Sequence, residues 1–325
     1  IKKIAAKNHK KPSEMLLDLL YWMVMPMESL NIFTYNAQEY IREIAKAGTN
    51  SDITLYHRKD GDRIFTFIEP SKYPDKLSSL TDSIFPADIA VISGKNLDKH
   101  FGEVIVALDL MGKKNGFIIS DEDKKDIIKK IISNTNLRNY NIFTGRPMEL
   151  VDQLSDVIPE RKLNGNYTLI DHFFKVRGVG TVALGFVLSG EIKKHDKLII
   201  SDIDKEIEIK SIQMNDVDVE SASTGSRVGL ALKNIEPESM SRGMLLSDKP
   251  FEYKTEISGN INIHSSVKNR PENSYEAFVS DMMRYQRGRV ENNKIILDKK
   301  IPVIKNNIVL SNNNIIPRVF ATLNF

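Results

Sequence analysis

The chain has 325 residues, of which 41% are hydrophobic and 27% charged, a globular mixture well clear of the disordered class, and its length suggests two or three domains. It contains no cysteine, which excludes disulfides, thiolate zinc sites and a cysteine nucleophile. The formal net charge of +3 is too small to identify a nucleic-acid binder, so any RNA contact must come from local clustering of cations.

Residues 1–27 read as an N-terminal extension. Lys2, Lys3, Lys7, Lys10 and Lys11 stand among its first twelve residues without an acid, and an apolar patch runs from Met15 to Met25, broken by Asp18. The patch is shorter than the roughly 20 apolar residues needed to cross a bilayer, and no small-residue cleavage site follows it. Two readings stay open: an amphipathic docking helix, or sequence upstream of a start at Met25 or Met27. No membrane contact is expected.

Over residues 28–160, short apolar runs alternate with helical stretches. Strands are expected at Leu30–Thr34, Ile64–Ile68, Ile89–Ile92, Phe117–Ile119 and Asn141–Thr144. Helices are expected at Glu39–Ala47 (closed by Gly48), Leu97–Leu110 (with Gly112 just past its end), Glu122–Ile132 and Met148–Leu154. This alternation implies βαβ units and a mainly parallel sheet. Helical patterning then stops. Residues 166–248 show short strands, repeated glycines and period-2 stretches such as Glu206–Ile212, the signature of a β-barrel. Residues 250–325 stay strand-rich, with turn asparagines at 292–293, 306–307 and 312–314, and read as a second barrel. The expected fold class is α/β plus β: one parallel-sheet domain followed by two β-barrels.

The most specific pattern lies in the second unit. Ile170-Asp171-His172-Phe173-Phe174-Lys175-Val176-Arg177-Gly178-Val179-Gly180-Thr181-Val182 is followed by Leu188-Ser189-Gly190-Glu191-Ile192 and His195-Asp196-Lys197-Leu198. After these come Ile209-Lys210-Ser211-Ile212-Gln213, the alternating Asp216-Val217-Asp218-Val219, Thr224-Gly225-Ser226-Arg227-Val228-Gly229-Leu230 and Arg242-Gly243. Gly178 and Gly180 suit a tight hairpin turn. The Asp/Val alternation suits a half-buried strand. In this order and spacing the block resembles domain II of the EF-Tu-like translation elongation factors, on their SelB branch. Two further stretches, Ala107-Leu108-Asp109-Leu110-Met111-Gly112 and Thr49-Asn50-Ser51-Asp52-Ile53-Thr54-Leu55-Tyr56, resemble the family and its archaeal SelB-like paralogues. That group includes a factor proposed for pyrrolysine decoding.

The resemblance implies the three-domain EF-Tu-like architecture, with a P-loop-GTPase-like first domain, and a cytoplasmic monomer. Its partners would be tRNA or aminoacyl-tRNA, and the ribosome. It also implies a pocket for the aminoacylated tRNA end at Asp171, His172 and Arg227, where an acid suits an α-amino group and a cation an anionic group. On the residues alone, Asp171 and Arg227 could equally pair across the barrel.

The nucleotide motifs expected in the first domain are eroded. A P-loop needs glycines, a lysine and a Ser/Thr, yet the first strand leads into Tyr35-Asn36-Ala37-Gln38. Where the family carries Asp-x-Pro-Gly-His, this chain has Glu69-Pro70-Ser71-Lys72-Tyr73. A phenol with a pKa near 10 is a poor substitute for imidazole in positioning water. Where the family reads guanine with Asn/Thr-Lys-x-Asp, it has Ser120-Asp121-Glu122-Asp123, and those acids also suit a helix start. Glu69, Tyr73 and Asp123 therefore mark vestigial nucleotide positions, with no catalytic residue, no metal and no cofactor expected. GTP and Mg²⁺ enter only under the alternative reading of a GTPase with divergent motifs, and a non-translational scaffold is a third reading. Arg284, Arg287 and Arg289, beside Tyr285, are candidates for RNA-backbone contact, or the solvated face of a strand.

Overall fold

The structure is a computed structural model that describes residues 28–272 and 274–325; the N-terminal extension expected at residues 1–27 lies outside the described residues. Domain I is built on a seven-stranded sheet of β1 (Glu28–Tyr35), β2 (Lys46–Asn50), β3 (Thr54–Asp60), β4 (Arg63–Glu69), β5 (Ile89–Ser93), β6 (Gly116–Ile119) and β7 (Asn141–Phe143), in the order β2-β3-β4-β1-β5-β6-β7. β1 is central and runs parallel to β4 and β5. Every β1 residue from Ser29 to Tyr35 is buried, the continuous run demanded of a parallel strand covered on both faces.

Alternate β1 residues serve opposite layers. Leu30 and Ile32 pack with Phe65, Phe67 and Val91 under α1 (Gln38–Ile44) and α5 (Pro147–Ser155). Phe33 and Tyr35 pack with Ile68 and Ile92 under α2 (Leu77–Ile84) and α3 (Lys99–Leu110). Asp98 caps α3 by accepting from the amides of His100 and Phe101 at 2.9 and 2.8 Å, which offsets donors otherwise unpaired at a helix start.

Three local expectations differ from the structure. The first helix stops at Ile44, and Gly48 lies not at a helix end but in edge strand β2, antiparallel to β3. There a Cβ on Gly48 would meet the His57 ring at 2.9 Å, so close strand approach is what asks for glycine. Helix α2, which no expectation covered, has no solvent-exposed face: all eight of its residues are buried, five of them Ser, Thr or Asp. Of the stretch 216–219 only Val217–Val219 is strand: Asn215 and Asp216, at φ 49° and 63°, form the tight turn before it, and Val217 is 58% exposed while Val219 packs against the barrel core.

Domain II comprises β8 (Tyr167–Val176), β9 (Gly180–Ser189), β10 (Glu191–Lys193), β11 (Lys197–Ile200), β12 (Lys205–Met214), β13 (Val217–Val219), β14 (Ser221–Ser223), β15 (Arg227–Lys233) and β16 (Leu245–Ser247). Its main sheet runs β11-β16-β8-β9-β15-β12-β13, and a further β11–β12 pairing closes it into a barrel around Ile170, Val187, Ile209 and Leu230. The β8–β9 turn is tight because Gly178 and Gly180 adopt φ of 81° and 106°.

Domain III comprises β17 (Tyr253–Ser258), β18 (Asn260–Ile263), β19 (Ser274–Asp281), β20 (Arg284–Glu291), β21 (Lys294–Pro302), β22 (Asn307–Ser311) and β23 (Val319–Asn324), ordered β17-β21-β20-β19-β22-β23-β18. Its two edge strands are consecutive in sequence and joined by Gly259 alone, so the sheet must curl round on itself. This is the EF-Tu-like architecture of a parallel-sheet domain and two β-rich domains. Among the described residues, no helix is long and apolar enough to cross a membrane.

The domains share a core. Leu169, Phe186 and Leu245 from domain II, and Met282, Met283 and Val319 from domain III, join the cluster that contains Phe33 and Leu80. Domain III is also clamped to α3. Arg318 gives Glu103 three side-chain hydrogen bonds, at 2.6, 3.1 and 3.2 Å, and its backbone amide gives a fourth at 2.7 Å. Burial alone would push the Glu103 carboxyl up, but Arg318 and the Tyr73 hydroxyl outweigh it and hold it below the usual range. Removing one partner of such a pair leaves a buried charge unpaired, at about 3 kcal/mol. Arg318→Ala should cost about that much stability in denaturant unfolding at neutral pH. Because the folded Glu103 pKa is depressed, the clamp's contribution is complete above the unfolded value of about 4.5 and fades as pH falls through the folded one. The difference between wild type and variant should therefore narrow in acid.

Candidate functional site

Two places in the fold bear on function: the turn after β1, and the joint between domains I and II. At the first, Asn36 takes φ 51° and α1 begins at Gln38 with no side-chain cap. Glu69 ends the neighbouring strand β4 and is buried. Its carboxyl accepts from the Gln38 side-chain amide and, at 3.3 Å, from the Tyr56 hydroxyl. Burial pushes Glu69 up to about 7. Burial thus favours the protonated form, and each carboxyl oxygen has one neutral donor, Gln38 on one and Tyr56 on the other.

Tyr73 does not face this turn. Its hydroxyl donates to Glu103 at 2.7 Å, its ring meets Tyr35 and His100 edge-on, and the Arg318 guanidinium lies 5.7 Å from its centroid. Burial raises its pKa far above the usual phenol, so it serves as a fixed donor within the domain I–III clamp. Asp123 is exposed in a 3₁₀ turn (Glu122–Lys124) that leads into α4 (Lys125–Ile132); Lys124 of that turn donates to the Lys95 carbonyl, and Lys95 pairs with Glu39 of α1. Among the described residues no hydrogen bond joins Glu69, Tyr73 and Asp123 to one another.

At the second place, Asp171, His172 and Arg227 do meet. The β8–β9 register slips between Ile170 and His172, leaving Asp171 as the extra residue of a bulge, a device that re-aims side chains. Asp171 is buried and contacts Arg227 through Oδ1 at 2.5 Å and His172 Nδ1 through Oδ2 at 2.8 Å. Burial would raise its pKa, but the charge of Arg227 and the His172 contact outweigh that and hold it below the carboxylate range. Arg227 also lies over the Phe186 ring at 4.5 Å, and one of its terminal nitrogens is buried without a partner among the described residues.

Domain I completes this joint. His172 Nε2 lies 2.9 Å from Ser51 Oγ. Arg242 donates to both Asp52 oxygens at 2.7 Å, to the Asp171 carbonyl at 3.2 Å and to Asp82 at 3.4 Å. Lys76 adds a contact to Asp52 at 2.5 Å. Beside the joint lies a cleft of about 310 Å³, lined by His57 from domain I and by Gln213, Asp216 and Arg227 from domain II. Burial, then the charge of Arg227, lowers His57 to about 4, so the cleft offers a neutral imidazole beside a fixed guanidinium.

The domain III arginines divide. Arg284 is enclosed at the domain II–III joint, donating to Ser201 Oγ at 2.9 Å and Asp202 at 3.2 Å. Arg287 and Arg289 are exposed, the former 6.0 Å from the Phe278 centroid and the latter paired with Glu291 at 3.1 Å. Lys76, Arg242, Arg284, Arg287, Lys299 and Lys300 line an open cleft of about 890 Å³ where the three domains meet.

The family model for elongation factor Tu domain 2 matches residues 180–247. A relative in Methanocaldococcus jannaschii, described as an uncharacterized protein, is 38% identical over 239 residues, 73% of this chain and 78% of that one. The chain belongs to the SelB branch of the EF-Tu-like translation elongation factors. The selenocysteine-specific elongation factor of the same organism is 34% identical over 194 residues, 53% of this chain but 41% of that longer protein. Among solved structures, apo SelB from Methanococcus maripaludis superposes with a TM-score of 0.77 at 19% identity, covering 92% of this chain and 80% of that one.

Against this SelB-like frame, sequence reasoning missed Ser51, Asp52, His57, Glu103 and Arg318. The signal for Glu103 was present: an acid inside the apolar run Phe101–Leu108 must find a buried partner. Nothing local marked Asp52, whose two-oxygen partner Arg242 lies in another domain, or His57, which faces Arg227 of domain II across the cleft.

The buried carboxyl of Glu69 can be tested directly. A raised folded pKa means that stability falls as pH climbs from about 4.5 to about 7 and stays low above it. Glu69→Gln should therefore be more stable than wild type at pH 8, by about 2–3 kcal/mol, and equal to it near pH 4 in thermal melts.

Proposed function

We propose that this chain is a SelB-like factor that holds aminoacyl-tRNA without a GTP switch. The observation that carries the reading is the contact at the turn after β1, where Gln38 and Tyr56 bond Glu69; by the family resemblance this turn stands where phosphate would be cradled. It offers no glycine-rich amide nest and no lysine to offset triphosphate charge. The separate domain I–II cleft keeps Arg227, set in position by Asp171, which His172 also contacts. In this reading the aminoacylated end enters that cleft. Arg227 and His57 face it, while Asp171, already saturated, acts as the positioning acid. The exposed Arg287 and Arg289 contact the tRNA backbone.

Titration calorimetry with GTP, GDP and Mg²⁺ should give no saturable binding. Tight binding with measurable hydrolysis would establish the chain as a GTPase instead. Filter binding with charged and uncharged tRNA at low salt, where phosphate contacts are strongest, should show retention and a preference for the charged form. No retention at low salt would sink the proposal. Arg287→Ala combined with Arg289→Ala should lower the slope of log affinity against log salt by about one to two while leaving the preference for charged tRNA intact.

A further inference from the structure

A second cavity, of about 570 Å³, opens between the three domains, among the residues that follow α2, those that follow α3, the domain I–II linker and the β21–β22 loop. Four cations line it, Lys113, Arg161, Lys162 and Lys305, against two acids, Asp88 and Glu160. Both acids are already engaged. Asp88 Oδ1 accepts from Arg161 Nε at 2.8 Å, and Oδ2 accepts from Arg161 at 2.6 Å and from the Asn31 amide at 2.8 Å. Glu160 faces Lys162 at 3.3 Å.

That leaves the charges of Lys113 and Lys305. Lys113 donates to the carbonyls of Ala87 and, at 3.4 Å, Phe85, and among the described residues no carboxylate lies within 4 Å of its ammonium. Lys305 sits 4.2 Å from the centroid of the same Phe85 ring. Its one nearby carboxylate, Asp281, is 3.7 Å away, and its other oxygen is buried without a partner among the described residues. Two ammonium groups thus reach Phe85 from different domains, Lys113 at its carbonyl and Lys305 over its ring. A partly enclosed pair of like charges is costly unless an anion joins it.

We propose that this cavity binds a small phosphate-class dianion between Lys113 and Lys305. A tetrahedral anion presents acceptor oxygens in several directions, so it can meet two ammonium groups that arrive from separate elements. Lysine binds phosphate as a point charge and needs no planar match. Inorganic phosphate and pyrophosphate both fit the space. The cavity shares no lining residue with the domain I–II cleft, although Phe186 on its wall carries the Arg227 guanidinium of that cleft. Its occupancy would tie domain I to domain III, since Lys113 follows α3 and Lys305 precedes β22.

The probes are inorganic phosphate and pyrophosphate, titrated calorimetrically into the full chain at constant chloride and ionic strength. Saturable binding is expected, pyrophosphate the tighter of the two, with a melting temperature that rises with anion concentration. Lys113→Met and Lys305→Met should each weaken binding tenfold or more. Reductive methylation of wild type, read by mass spectrometry, needs no variant: bound pyrophosphate should protect Lys113 and Lys305 while Lys114 and Lys299 react as before. Absence of saturable binding at millimolar pyrophosphate would overturn the proposal. So would unchanged affinity in the double variant, or protection that is no greater at these two lysines than at the others.

Discussion

Arg242 is the side chain on which the relation between domains I and II depends. One guanidinium meets both oxygens of Asp52, reaches Asp82 and caps the Asp171 carbonyl. Each charge is partly withdrawn from water, and the desolvation cost is recovered only because nearly every polar atom in the group is engaged. Asp52 comes from the short loop between β2 and β3, so the clamp also fixes the edge of the domain I sheet against the barrel. The Asp171 bulge, the His172–Ser51 contact and the orientation of Arg227 all lie within one or two contacts of it.

The Arg318–Glu103 clamp plays the matching part for domain III, and it draws in Tyr73. A tyrosine does not ionise near neutral pH, and it brings a long rigid donor with a large apolar body. The chain uses that donor on a buried carboxylate. Glu69, too, serves packing: burial pushes its carboxyl up, and two neutral donors bond it.

Charge left over from these pairings is distributed unevenly. Most arginines at the joints are matched by carboxylates: Arg161 by Asp88, Arg242 by Asp52 and Arg318 by Glu103. Lysines fill the gaps where a planar fork has no partner. Lys113 and Lys305 therefore stand out less by their number than by the lack of full neutralisation around them. The junction cleft beside Arg284 and Arg287 is basic for a related reason, since lysines from domains I and III face it from opposite sides.

The order of domains, the parallel core of domain I and the family of the domain II barrel were legible in the residues alone. Buried β1, the spaced glycines of the β8–β9 turn and the motif block over 170–243 express local periodicity and backbone demands, which a linear chain displays directly. Helix α2 and the β2–β3 hairpin escaped notice: the first is short and buries five polar residues along with its apolar ones, and the second is held by pairing rather than by pattern. What only the tertiary structure decided is where the charges go. Asp171 and Arg227 lie 56 residues apart, Asp52 and Arg242 lie 190 apart, and Glu103 and Arg318 lie 215 apart. An ion pair has no sequence period, and its partner is chosen by the packing of domains.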